Sequence, residues 1–110
     1  MPDERLTTFR ARVRPAEGAV VVIAEGELDI VGAPHLLETV PEEGSEPVVL
    51  DLDAVRFMDS SGLRALLQVR RACAESGRPF ALARPSDAVR RVLELVDLEG
   101  EFEIVEAPPA

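Results

Sequence analysis

Residues 48–67, VVLDLDAVRFMDSSGLRALL, change their period part-way along. Val48, Leu50 and Leu52 alternate with Val49, Asp51 and Asp53, as on the two faces of a strand with a polar end. From Gly62 to Ser76 the spacing becomes helical. Leu63, Leu66, Leu67, Val69, Cys73 and Ala74 share one broad face, and Gly77 supplies a C-terminal stop. Arg70 falls within that arc and is expected to lay its stem along the core with its head in water. Between the two patterns stand Asp59, Ser60, Ser61 and Gly62. A strand that feeds a helix is the unit of an α/β domain, so this stretch sets the fold class.

The flanks extend the pattern. Leu6–Arg14 alternates, with Phe9, Ala11 and Val13 on one face, and Pro15 and Gly18 make a turn. Val20–Ala24 is a continuous apolar strand that stops at Gly26, and the two strands form a hairpin. Pro34 opens a short helix carrying Leu36, Leu37 and Val40, and Pro41 closes it. Phe80–Ala83 is a short strand. Ser86 caps a helix with Val89, Val92, Leu93 and Val96 on its inner face, which ends near Gly100, and Phe102–Val105 is a last strand. The order β-β-α-β-α-β-α-β predicts a single small α/β domain over residues 1–110, with a mixed sheet of about five strands, an opening hairpin and helices packed against it. Its core is expected over about 6–105, with 1–5 and 106–110 frayed. No internal repeat is evident.

Composition excludes several roles. The chain of 110 residues carries a net charge of -9, and all twelve basic residues are arginines. Four Phe and no Tyr or Trp leave little to stack bases on, so direct nucleic-acid binding is not expected. One cysteine, Cys73, cannot form an internal disulfide, which fits a reducing cytoplasm. The N-terminal MPDERLTTFR lacks an apolar signal region, and the longest apolar run, AVVVIA at 19–24, is far short of a membrane span.

Few residues carry chemistry. The strand end with Asp51 and Asp53 resembles the nucleophile loop of magnesium-dependent haloacid dehalogenase phosphotransferases, which implies a small phosphatase as one alternative. That chemistry also needs a cation, usually lysine, and a late acidic pair; the chain has no lysine and no adjacent Asp/Glu pair after Glu43. Both aspartates therefore read as surface carboxylates on the solvent side. His35, the one histidine, reads as a surface or helix-start residue, and Cys73 as packing material. The arginines are scattered over several elements, and Arg90 and Arg91 read as a solvated helix face. No metal or cofactor is expected. Asp59 suffices as a helix cap, but glycine in a first turn costs ~1 kcal/mol against alanine, so Gly62 implies a close approach to the backbone.

Two segments, GELDIVGAPHL at 26–36 and VVLDLDAVRFMDSSGLRALL at 48–67, together with the order of elements, resemble the STAS domains, most closely the bacterial anti-sigma-factor antagonists. The resemblance covers about Leu6 to Val105. It implies a binding module without its own catalysis, and it implies Ser60 as the residue phosphorylated by a partner, an anti-sigma factor that is also a serine kinase using ATP and magnesium. Unphosphorylated antagonist would bind that partner and free a sigma factor; a phosphoserine phosphatase would restore the bound state. Asp29, Asp59, Ser61, Gly62, Leu63 and Arg64 are implied at or beside the partner-binding surface, with Arg64 standing where many relatives have a small residue. Within the same fold, the alternatives are a scaffold of a stress-sensing complex or an accessory subunit of a transporter.

Overall fold

The computed structural model describes residues 8–110. Leu6 and Thr7 of the expected first strand, and residues 1–5 expected to fray, lie outside them. β1 (Arg10–Ala16) and β2 (Ala19–Leu28) form the antiparallel hairpin; α1 (Gly32–Thr39), β3 (Val48–Met58), α2 (Ser60–Glu75), β4 (Phe80–Ala83), α3 (Asp87–Leu95) and β5 (Ile104–Val105) follow, with a 3-10 turn at Glu99–Glu101. The sheet order is β1-β2-β3-β4-β5, and every pair after the first is parallel. The expected small α/β domain with a five-stranded mixed sheet is what forms.

Each new strand from β2 onward joins the same side, so right-handed crossovers bring all three helices to one face. Packing agrees. Val22, Leu50 and Leu82 from the strands share one core with Leu36 of α1, Leu66 and Val69 of α2, and Val89 and Leu93 of α3. Each such side chain, fully buried, contributes roughly 1.5–3 kcal/mol. The opposite face carries a smaller apolar cluster of strand residues, Val21, Val49 and Ala83.

Local signals explain most boundaries. The Ser86 Oγ accepts from the Val89 N–H at 3.3 Å and caps α3. At the end of α2 the Arg78 N–H reaches the Cys73 carbonyl and the Gly77 N–H reaches that of Ala74, a Schellman ending that needs the positive φ of Gly77, 71°.

Several expectations are corrected. β2 does not stop at Gly26 but passes through it with a register shift, because glycine there takes φ 97° and lets the Thr8 carbonyl lie against it. α1 begins two residues before Pro34, and α2 two before Gly62. β3 continues past Asp53 to Met58. Val13 is 45% exposed, on the edge strand of the described sheet, and Ala74 and Val96 also face solvent. Arg70 sets its guanidinium over the Phe102 ring, 5.5 Å from the centroid, and bonds the Glu101 carbonyl at 2.9 Å.

Three further corrections concern charge and the tail. Asp51 is not a surface carboxylate: it is 4% exposed and accepts from Arg84 at 2.7 Å, while Asp53 is exposed. Arg10, Arg12 and Arg14 form a row on one face of β1, so the arginines are not all scattered. Residues 106–110 are tied down rather than frayed, by bonds from Arg14 to the Pro109 carbonyl and from the Glu17 N–H to that of Ala110.

Candidate functional site

Parallel pairing puts Leu28 of β2 in register with Met58 of β3. The next residues are Asp29 and Asp59, so the two aspartates stand side by side at the ends of neighbouring strands, each leading into a helix. Their bonding is the same. The Asp59 Oδ1 accepts from the N–H groups of Ser61 at 2.9 Å and Gly62 at 3.2 Å; the Asp29 Oδ1 accepts from those of Val31 at 3.0 Å and Gly32 at 2.8 Å. Each also gives its main-chain carbonyl to the residue four on, Leu63 or Ala33. The carboxylates thus satisfy N–H groups that a helix start leaves without partners.

Glycine recurs three residues after each aspartate for a shared reason. A Cβ at Gly62 would lie 2.7 Å from the Met58 Cγ and closer still to the Leu28 carbonyl oxygen. One at Gly32 would lie 2.6 Å from the Glu27 carbonyl oxygen and 2.8 Å from the Phe9 Cβ. What approaches Gly62 closely is therefore the chain's own neighbouring strand end. D-x-x-G is a repeated turn, legible in sequence as LDIVG and MDSSG but visible as a repeat only once the strands are paired.

Within the second turn Ser60 is exposed, the first residue of α2, and Ser61 is half-buried. Gly62 and Leu63 are buried and seat the helix start against the sheet. Asp29 and Asp59 are partly exposed, and Arg64 points to solvent. Sequence reasoning missed Ile30 and Val31, 74% and 42% exposed in the first turn, and Phe57 at 48%. Two bare apolar residues between a capping Asp and a constrained Gly were the available signal.

The remaining candidates lie elsewhere. Burial pushes the Cys73 thiol up, with Arg78 opposing, which keeps it protonated at neutral pH on the inner face of α2. His35 is exposed on α1. The Asp51 carboxylate is engaged by the Arg84 guanidinium, whose own pKa that bond raises. Among the described residues no three or more His, Cys, Asp or Glu gather where a metal ion could be held, and none of the helices is long and apolar enough to cross a membrane.

The family model of the STAS domain matches residues 10–108. The chain belongs to the STAS domain family. This STAS domain is 31% identical over 90 residues to the anti-sigma-F factor antagonist RsfB of Mycobacterium tuberculosis, covering 79% of this chain and 73% of that one. It is 26% identical over 84 residues to the anti-sigma-B factor antagonist of Staphylococcus aureus, covering 74% and 78% of the two chains. Among solved structures, an anti-sigma factor antagonist from Mycobacterium paratuberculosis superposes with a TM-score of 0.75 at 27% identity, covering 91% of this STAS domain and 87% of that chain.

Proposed function

We propose that this STAS domain is an anti-sigma-factor antagonist whose binding is switched by phosphorylation of Ser60. The observation that carries the reading is an exposed serine at the first position of a helix whose capping bonds are already supplied by its neighbour, Asp59. The names of the relatives support the general role. The partner is an anti-sigma factor with serine-kinase activity, which uses ATP and magnesium, and a phosphoserine phosphatase reverses the mark. The domain is acted upon and does no catalysis itself.

The geometry gives this switch a physical basis. A phosphate on Ser60 adds about -1.5 to -2 charge at a helix N-terminus, where the dipole favours it, so the fold tolerates the mark. Arg64 lies four residues on, on the same helix face, the spacing at which a long basic side chain can pair with a charge one turn toward the N-terminus. The partner-facing surface suffers instead. Beside Ser60 the first turn presents Ile30 and Val31, whose cover by a partner removes water, and a new dianion next to Asp59 has to be desolvated or repelled there.

Mass spectrometry after incubation with ATP and candidate anti-sigma kinases tests the site. One added phosphate is expected, lost in Ser60→Ala and kept in Ser61→Ala. A Ser60→Asp variant that binds an anti-sigma partner as tightly as the parent protein would overturn the switch.

A further inference from the structure

The sheet face opposite the helices has a buried centre although no helix among the described residues covers it. Val21 and Ala83 are fully buried and Val49 nearly so, packed with Ala16, Ile23 and Val105. Register makes these a strip: Val105 pairs with Ala83, Val49 lies between Ala81 and Val21, and Val21 pairs with Arg14. The strip runs from the β5 edge to the β1 edge. Residues 106–110 leave the sheet at Val105 and are next bonded at β1, where the Arg14 guanidinium donates to the Pro109 carbonyl and the Glu17 N–H to that of Ala110. Pro108 and Pro109 are half-buried, whereas Glu106, Ala107 and Ala110 are exposed.

We propose that residues 106–110 are a strap that lifts off this face as a unit while the sheet stays folded, baring an apolar strip bordered by Arg10, Arg12 and Arg14. The occupant of the face is thus the chain's own segment, held by a weak latch. Both anchors are carbonyl acceptors in its last two residues, and its two prolines have no N–H to add. One anchor comes from a partly exposed guanidinium, which water solvates well on release. Segments with so few backbone bonds and only half-burial open well below the free energy of global unfolding. The prolines also limit the freedom of the lifted segment, which keeps closure favourable. The lifted state presents an apolar strip beside a row of arginines, of which Arg10 stands across from Glu25 while Arg12 and Arg14 stand across from Ile23 and Val21.

Native-state hydrogen exchange on the full chain tests the strap, read at the Glu17 amide and at Leu50 in the central strand. Glu17 is expected to exchange through an opening that is independent of denaturant, and Leu50 only through global unfolding. Arg14→Ala should speed Glu17 exchange about tenfold, leave Leu50 unchanged and raise binding of an apolar fluorescent dye. Pro109→Gly, which loosens the strap without touching β1, should move Glu17 in the same direction. Identical denaturant dependence at Glu17 and Leu50, or variants that shift both amides equally, would show the strap to be an inseparable part of the core.

Discussion

The two strand-to-helix turns, Asp29–Gly32 and Asp59–Gly62, share one scaffold and differ in what they carry. In both, one carboxylate oxygen accepts from the second and third residues that follow it, and a glycine is wedged against neighbouring backbone and side chains. Between those fixed points the first turn displays Ile30 and Val31 and the second Ser60 and Ser61. A turn whose backbone is satisfied by its ends is free to vary its middle. Placed side by side by the Leu28–Met58 pairing, the two turns set a pair of exposed apolar side chains beside an exposed serine.

The largest effect is expected where the scaffold is shared. Gly62→Ala and Gly32→Ala should each destabilise the fold by about 3 kcal/mol in urea unfolding, because a backbone carbonyl cannot move aside for the new Cβ. A loss at one glycine and none at the other would break the equivalence of the turns.

Next come the substitutions that should separate them. Ser60→Asp is expected to weaken binding to an anti-sigma partner about hundredfold and Ile30→Ser about tenfold, by calorimetry, with unfolding free energy changed by less than about 0.5 kcal/mol in either. Equal losses of stability and of binding would mean that these residues belong to the scaffold.

Smaller, and again symmetric, is the loss of a cap. Asp29→Ala and Asp59→Ala should each lower stability by about 1 kcal/mol, with Asn at either position recovering most of it, since an amide oxygen accepts the same bonds. Smallest is Arg64→Ala, which should cost the phosphorylated form about 0.5 kcal/mol and the unphosphorylated form nothing measurable, a difference read by thermal unfolding of the two. An equal effect in both forms would assign Arg64 to the helix surface alone.

Much of the fold was legible because its signals are local. Phe80–Ala83 is a strand as read, Ser86 caps its helix and Gly77 ends another, each through groups within a few residues. The site was legible in part. Asp59 announced a helix start, but the glycine that seemed reserved for an outside molecule answers to Leu28 and Met58, thirty-odd and four residues earlier in the chain. Asp51 looked like a solvent-side carboxylate because its partner, Arg84, lies 33 residues on, just past the end of the neighbouring strand. Ile30 and Val31 look like core residues until the turn is seen to face outward.

The residues by themselves determined the order of elements, the absence of lysine and of an internal disulfide, and Asp59 as a cap where a helix starts. Periodicity, capping and composition act over a few positions and need no knowledge of neighbours. Only the tertiary structure decided which strand ends stand together, that two D-x-x-G turns form one surface, and that residues 109 and 110 are bonded back to the opening hairpin. Those outcomes depend on parallel pairing between strands some thirty residues apart, where register, rather than any single side chain, sets what meets what.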